Sequence, residues 1–284
     1  MTFSGAGELF TIFFGLASAL SWGAGDFCGG LTTRRAPVLS VLVIAQGSGL
    51  LLVMALALLW REPLPAASDL LWSAVGGLFG TIGLGALYRG LAVGRAGVVA
   101  PVSAVITAIL PAVFGLLTED WPGGMRLAGF GAALIGVWLV SASTETQATG
   151  NSGLGLAVVA GLGFGLFYIF LSQASASATF WPLAAARAAS LPFVFIPALA
   201  RRQLHSLDLK ILPLALLTGL FDTGGNALFV LARQAGRLDV AAVLSSLYPA
   251  STILLSRLIL NERISRRQSL GVLAALAAIV LIAA

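Results

Sequence analysis

The sequence has few of the residues on which soluble enzymes depend. Charged residues make up only 10% of its 284 positions, against about 25% in a typical soluble domain. It has one cysteine, Cys28, and one histidine, His205. The single cysteine excludes an intrachain disulfide, and together the two leave little material for a thiolate or histidine metal site. We therefore expect no metal and no cofactor, and a catalytic constellation would be hard to assemble.

Apolar residues fill the chain instead, at 58% with a mean hydropathy of +1.00. The net charge of +5 would suit nucleic acid, but the basic residues are scattered among short connections without interleaved aromatics, so no nucleic-acid partner is expected. A lipid bilayer is the expected surrounding. The first apolar stretch is not interpreted as a cleaved signal peptide, because residues 1–8 lack the basic residues of one.

Ten stretches are long and apolar enough to cross a membrane, which takes about 20 residues of helix. They are expected near 9–29, 38–60, 69–88, 97–118, 126–143, 153–173, 180–200, 211–232, 239–260 and 266–283. Backbone groups in lipid must be paired, and the stretches show no period-two alternation typical of a barrel. The sequence therefore predicts an all-α integral membrane protein that crosses the bilayer ten times.

The second half of the sequence repeats the first at an offset of 142 residues. Gly94-Arg95 aligns with Gly236-Arg237, and Gly129 aligns with Gly271. We predict two repeats, residues 1–142 and 143–284, joined by a polar linker at 141–152. Five helices per half is an odd number, so the second repeat enters the membrane from the opposite side. The predicted fold is thus two inverted five-helix repeats.

The basic residues predict an orientation. Odd-numbered connections between the helices carry ten Lys or Arg residues and even-numbered ones carry four. Cytoplasmic connections are enriched in basic residues. We therefore expect the odd-numbered connections in the cytoplasm and both termini outside.

Charges at membrane depth are costly, so each one is a candidate site residue. Asp222 stands within the eighth segment, with Asn226 one turn beyond it on the same face. It is interpreted either as a substrate-amine or proton site, or as a structural partner of Arg187 in the seventh segment. Arg187 in turn either holds a substrate carboxylate or only neutralises Asp222. Asp26 near the end of the first segment is a coupling candidate, or a helix-end carboxylate in water.

Uncharged residues complete the candidate site. Tyr248 is expected to line a cavity beside Ser245 and Pro249, because a proline frees a carbonyl on the preceding turn. The other candidates for substrate binding or coupling are Trp22, Gln46, Tyr88 and Tyr168. Aromatic residues in membrane helices are more often interface anchors or core packing. Pro101 and Pro111 in the fourth segment, with Pro249 in the ninth, are predicted bending points for gating.

The chain resembles the EamA domain of the drug/metabolite transporter superfamily. The resemblance is carried by Ser245–Pro249, by Asn261-Glu262-Arg263 and by Gly271, and the first segment, with Leu20–Gly23, is similar to the start of that domain. The first copy departs from the pattern, since Thr107 stands where the second has Pro249. Two such domains cover essentially the whole chain.

The resemblance implies a carrier of the bacterial inner membrane rather than an enzyme. It implies export of amino acids, aromatic or other neutral ones, or of related small metabolites, through a central cavity by alternating access. A flippase for lipids or lipid-linked sugars, and a drug efflux carrier, are the alternatives within the superfamily. The partners expected are a small-molecule substrate and the lipid bilayer, for a monomer or a homodimer.

Overall fold

The computed structural model describes residues 5–93, 96–141, 153–174, 178–206, 209–261 and 265–283. These residues form helices and connections, without a strand among them. The α-helices are α1 (Gly5–Thr33), α2 (Val38–Leu59), α3 (Ala67–Val93), α4 (Ala96–Thr118), α5 (Gly124–Ser141), α6 (Leu154–Ser172), α7 (Phe180–Ala200), α8 (Leu212–Ala235), α9 (Leu238–Ser245), α10 (Tyr248–Leu260) and α11 (Arg266–Ala283). Two short 3₁₀ turns connect α7 to α8.

The predicted all-α membrane fold is confirmed. Ten spans of the described residues are long and apolar enough to cross a membrane, and the ninth of them, Leu238–Leu260, consists of α9 and α10 together. Their outer surfaces carry large apolar side chains such as Leu9, Leu117 and Leu258, which are 69%, 80% and 74% exposed. Such a surface is suited to lipid rather than to water. The chain is a multi-pass membrane protein.

The ninth span differs from the prediction of one helix bent at Pro249. It is broken at Ser246 and Leu247, and Pro249 occupies the first turn of α10. A proline is tolerated there because it lacks the N–H that a first-turn residue leaves unbonded anyway. The corresponding part of the first repeat, α4, is continuous. It has Thr107 at the position of Pro249, and the Thr107 hydroxyl donates to the Ser103 carbonyl at 2.8 Å.

The helix pairings follow the duplication. In the repeat, α1 corresponds to α6, α2 to α7, α3 to α8, α4 to the broken α9–α10 span, and α5 to α11. The extensive packing of α1 on α8 is matched by that of α6 on α3, and the packing of α4 on α6 is matched by that of α9 and α10 on α1. The self-corresponding pairs, α2 with α7 and α5 with α11, also contact each other. The two inverted repeats therefore interlock about a pseudo-two-fold axis.

Small residues permit these close crossings. A Cβ atom added to Gly163 on α6 would lie 2.7 Å from the Gly83 Cα on α3, which is closer than any relaxed contact. Helix pairs in lipid gain stability chiefly from such close packing. The glycines at this crossing thus let the backbones of the two repeats touch.

Three sequence predictions fall on residues outside the described ranges or side chains. They concern the linker at 141–152, of which only Ser141 is described, the Glu262-Arg263 part of the repeated motif, and the side chain of Tyr88. Tyr88 itself lies in α3.

Candidate functional site

An ion pair joins α7 to α8 inside the bundle. The Arg187 guanidinium donates to the Asp222 carboxylate and, through its other terminal nitrogen, to the side-chain oxygen of Gln46 on α2. The Gln46 amide donates in turn to the Ser190 hydroxyl at 3.4 Å, and that hydroxyl donates to the Arg187 carbonyl at 3.1 Å. Three helices from both repeats are therefore held by one polar network.

The two members of the ion pair differ in their access to solvent. The Arg187 side chain is only 8% exposed, whereas the Asp222 side chain is 43% exposed. Arg187 is already hydrogen-bonded to Asp222 and Gln46, and little of its surface is accessible to a ligand in this conformation. Of the two interpretations of Arg187, the geometry favours a partner of Asp222 over a ligand for a substrate carboxylate, and it leaves Asp222 accessible.

Asp26 is the second accessible carboxylate, and it faces the interior. It is exposed, yet it lies one turn beyond Trp22 and so on the same helix face. The lipid-facing stripe of α1 contains Leu9, Phe13 and Leu20, which are more than half exposed. At about 100° per residue, Asp26 points roughly 100° or more away from that stripe. Its exposure therefore indicates an opening within the bundle rather than contact with lipid.

Asp222 borders the same opening. It lies at least roughly 120° around α8 from the lipid-exposed Leu216, Leu217 and Leu220. The carboxylates of Asp26 and Asp222 are close enough to repel each other, and Tyr248 is within electrostatic range of Asp26. We call the space bordered by Asp26, Asp222 and Tyr248 the interior opening.

Four aromatic side chains from four helices lie next to these carboxylates. Trp22 stacks on Tyr168 with 5.4 Å between ring centroids, and Tyr168 stacks on Phe229 at 4.6 Å. The Tyr248 ring lies nearly perpendicular to the Trp22 ring, with 6.4 Å between ring centroids. Trp22, Tyr168 and Phe229 are buried and Tyr248 is half-buried. This aromatic cluster brings together three predicted site residues, and Phe229 joins them without having been predicted.

Contacts between α1 and α8 hold the Trp22 side chain in position. Its indole N–H donates to the Asp222 backbone carbonyl at 3.1 Å, and a Cβ atom on Gly225 would lie 2.6 Å from that indole nitrogen. Two serines of α1 add further bonds, from Ser18 to the Gly225 carbonyl at 2.8 Å and from Ser21 to the Phe221 carbonyl at 2.6 Å. Gly225, three residues beyond Asp222, thus admits the tryptophan ring against the α8 backbone.

The aromatic cluster closes one side of the interior opening. Along α8, Phe229 lies seven residues beyond Asp222 toward Ala235, which is about 10 Å at 1.5 Å per residue. Along the antiparallel α1, Trp22 lies toward that same face relative to Asp26. The carboxylates are therefore separated from the face of the α8–α9 connection by buried rings, and their exposure is toward the opposite face, where α1 ends at Thr33.

The other predicted residues lie apart from the opening or deeper in the bundle. Asn226 is buried one turn beyond Asp222. Ser245 is fully buried and its hydroxyl donates to the Gly15 carbonyl at 3.4 Å, so it packs α9 against α1. Pro101 and Pro111 are buried within α4, and Pro249 is half-buried in the first turn of α10.

A second polar network lies at the face that the aromatic cluster closes. Arg237 and Asp239 form a two-pronged ion pair, with nitrogen–oxygen distances of 3.0 and 2.6 Å. Glu119 pairs with Arg233 at 3.3 Å. Burial raises the pKa of Glu119, against the lowering effect of the Leu238 N–H and of Arg233. For Arg237, burial lowers the pKa, but the hydrogen bond and charge of Asp239 outweigh it and leave the pKa raised.

This second network was not predicted as part of the site. Its members are ordinary charged residues near helix ends, and Glu119 of the first repeat finds its partners Arg233 and Arg237 in the second. Within the described residues, no three His, Cys, Asp or Glu side chains converge as a metal ion would require. The accessible groups of the interior opening are carboxylates and an aromatic ring, which suit an organic ligand.

Comparisons with known proteins agree with the duplicated architecture. The sequence model of a family described as the EamA-like transporter family matches residues 9–142 and again residues 151–284. A solved structure titled only "Crystal structure of protein" superimposes with a TM-score of 0.74 over 95% of this chain and 95% of that chain, at 14% sequence identity. At that identity the likeness shows the fold alone. No curated protein matches the chain.

Proposed function

The chain belongs to the EamA-like transporter family, and from this premise we propose that it is a secondary transporter exporting amine-bearing small metabolites, amino acids first among them, across a bacterial inner membrane. The observation that carries the proposal is the interior opening. Two accessible carboxylates, Asp26 and Asp222, lie beside an aromatic cluster inside an otherwise apolar bundle. Desolvating a charged ligand group is costly unless the protein supplies a partner, and these groups supply one.

The proposed roles follow from the contacts. Asp222 meets the substrate amine or carries a coupling proton, while Arg187 and Gln46 hold it in position. Tyr248, the half-buried ring of the cluster, packs on the apolar part of the substrate. Amino acids are placed first because the resemblance to the EamA domain implies an exporter, often of amino acids or other small metabolites.

The proposed direction of transport rests on two observations. The interior opening is accessible from the face of the odd-numbered connections, which carry the excess of basic residues and so are expected in the cytoplasm. The aromatic cluster closes the other side. A carrier in this conformation is ready to take substrate from the cytoplasm, and the break between α9 and α10 offers a hinge at which the closed side would open.

The test is transport by the purified protein in liposomes. Counterflow of radiolabelled neutral amino acids is measured against protein-free liposomes, and movement of a fluorescent phospholipid is measured in parallel. We expect amino acid counterflow without lipid movement. Lipid movement without counterflow would favour the flippase alternative and contradict the proposal.

Asp222→Asn tests the role of the charge. An asparagine oxygen still accepts from Arg187, so the variant is expected to stay folded but to lose at least tenfold in transport. Glu8→Gln is the matched control, because Glu8 pairs with Arg126 at 2.9 Å outside the opening and should transport normally. A folded Asp222→Asn variant with a normal rate and normal pH dependence would show that the charge is only structural.

A further inference from the structure

The charges around the interior opening point to the kind of substrate. We propose that the opening is a binding site for a monovalent organic cation, namely a protonated amine that lacks a free carboxylate. This inference rests on the proposed transport function and narrows it. It is carried by the arrangement of Asp26, Asp222, Arg187 and the aromatic cluster.

The formal charge of the site is the first argument. Asp26 and Asp222 contribute two negative charges within electrostatic range of each other, and Arg187 contributes one positive charge. With both carboxylates ionised, the formal charge of the three side chains is one net negative charge inside an apolar bundle. A buried net charge is unfavourable unless it is compensated, so a single positive charge on the ligand completes the site.

The accessibility of these charges is the second argument. The Arg187 side chain is 8% exposed and the Asp222 side chain is 43% exposed, while Asp26 is exposed as well. The charged groups accessible to a ligand are the two carboxylates. The positive group of this network, Arg187, is already hydrogen-bonded to Asp222 and Gln46. An amine finds two carboxylate acceptors here, whereas a carboxylate meets two like charges and a guanidinium that is already hydrogen-bonded.

The aromatic cluster is the third argument. Tyr168 lies within electrostatic range of both Asp26 and Asp222, and Tyr248 within range of Asp26. Aromatic faces attract cations, and the attraction is stronger when the cation is partly desolvated. Tyr248 keeps accessible surface beside the carboxylates. Carboxylates next to aromatic rings form a recognition chemistry for an ammonium group that carries an apolar substituent.

A zwitterionic amino acid fits this site less well than the matching amine. Its amine would meet Asp26 or Asp222, but its carboxylate, two bonds from the ammonium nitrogen, would then lie near the same negative groups. Specificity of this kind arises from the repulsive element as much as from the attractive one. The two carboxylates of the site supply that repulsion.

Three probes of similar shape and different charge test the proposal: phenethylamine, a cation; phenylalanine, a zwitterion; and phenylacetate, an anion. Counterflow of each radiolabelled compound is measured in liposomes that contain the purified full-length protein. We expect phenethylamine counterflow at least tenfold above that of phenylalanine, and none for phenylacetate. Phenylalanine counterflow equal to or above that of phenethylamine would overturn the proposal.

Asp26→Asn provides the second test. It makes the formal charge of the site zero without touching the Arg187–Asp222 pair, and should reduce the ratio of phenethylamine to phenylalanine counterflow at least fivefold. A purely structural role for Asp26 would lower both rates together and leave the ratio unchanged, which would contradict the proposal. Gel filtration and thermal unfolding in detergent establish that the variant is folded, and Glu8→Gln should keep the wild-type ratio.

The two proposals fail in different ways. Counterflow of some neutral amino acid, but of none of the three probes, overturns the cation site and leaves the transporter in place. The absence of counterflow for every probe and every amino acid overturns both. Preference for phenethylamine that falls at least fivefold in Asp26→Asn supports the transport function and the cation site, and ranks simple amines ahead of amino acids as substrates.

Discussion

The carboxylate of Glu119, in the first repeat, accepts a hydrogen bond from the backbone N–H of Leu238, in the second, with distances of 3.1 and 3.2 Å to its two oxygens. Leu238 is the first residue of α9, whose leading N–H groups have no partners within the helix. A negative charge there is also favoured by the helix dipole. Glu119 thus fastens the connection after α4 to the half of the ninth span that lies before its break.

Protonation of Glu119 should stabilise the folded protein, because the pKa of this group is raised on folding. A folded-state pKa above the unfolded one, near 4.3, means that the folded protein binds the proton more tightly. The stabilisation is complete below the unfolded pKa and is lost as the pH rises through the folded pKa. The wild-type melting temperature, relative to that of Glu119→Gln, should therefore rise as the pH is lowered from neutral toward the unfolded pKa of about 4.3.

The glutamine variant isolates this effect because it cannot titrate, yet it keeps an oxygen that accepts from Leu238. Both proteins share Arg233, Arg237 and Asp239, the charged groups around residue 119, so the contributions of these groups largely cancel in the difference. Thermal unfolding in detergent at a series of pH values gives the two curves. A constant difference across the series would contradict the prediction.

Glu62 caps the start of α7 at the same face of the bundle as Glu119, and this cap should stabilise the folded protein. Its carboxylate accepts from the backbone N–H groups of Thr179, Phe180 and Trp181 at 2.6–3.1 Å, at the start of α7. Losing such a cap costs about 1 kcal/mol, within a range of 0.5–2. Glu62→Ala should lower the melting temperature measurably, and Glu62→Gln, which keeps one acceptor oxygen, should lower it less. Equal melting temperatures for Glu62→Ala and wild type would exclude a capping role.

The sequence predicted the spans better than it predicted the contacts between them. Apolar length alone identifies ten spans, because lipid leaves the backbone no alternative to a helix. Asp222 and Arg187 stood out for the same reason, as costly charges in apolar stretches. Which of them faces the opening depends on how α7 and α8 are rotated, and helix packing decides that. The ion pair was one of two open interpretations until the packing was known.

Phe229 and Glu62 show what sequence patterns leave out. An aromatic residue in an apolar span gives no signal of its own, so the role of Phe229 in the aromatic cluster depends on Trp22 and Tyr168 from other helices. Glu62 contacts residues 117–119 positions away, and no local motif connects them. The break at Ser246 and Leu247 was closer to prediction, because Pro249 marked the region, although the helix ends before the proline instead of bending at it.

Gly163 should be intolerant of a side chain. Gly163→Ala would place a methyl group 2.7 Å from the Gly83 Cα, so the α3–α6 crossing must open and the protein should lose several degrees in melting temperature. Gly85→Ala on α3 is the matched control, because a Cβ atom there meets nothing within 4 Å. The control should be neutral or slightly stabilising, since alanine favours a helix over glycine by about 1 kcal/mol. Equal effects of the two substitutions would contradict the crossing geometry.

The predicted orientation can be checked with single cysteines. Ala66 and Ala200 are exposed and lie at opposite faces, before α3 and at the end of α7. In a variant with Cys28 replaced by serine, Ala66→Cys should react with an impermeant thiol reagent on intact cells. Ala200→Cys should react only after the cells are permeabilised. The reverse pattern would place the odd-numbered connections outside and turn the interior opening toward the exterior.

The ion pair itself should respond asymmetrically to removal of its partners. Breaking a buried pair by removing one member costs about 3–5 kcal/mol, because the other charge is left uncompensated. Asp222→Leu leaves the nearly buried Arg187 unpaired, whereas Arg187→Met leaves Asp222, whose side chain is 43% exposed and so retains water. We therefore expect Asp222→Leu to lower the melting temperature more than Arg187→Met. The double variant should recover much of the lost stability, since two apolar residues can replace a buried pair, but it should not transport. A double variant that is folded and still transports at the wild-type rate would remove Asp222 from the site and leave Asp26 as its accessible charge.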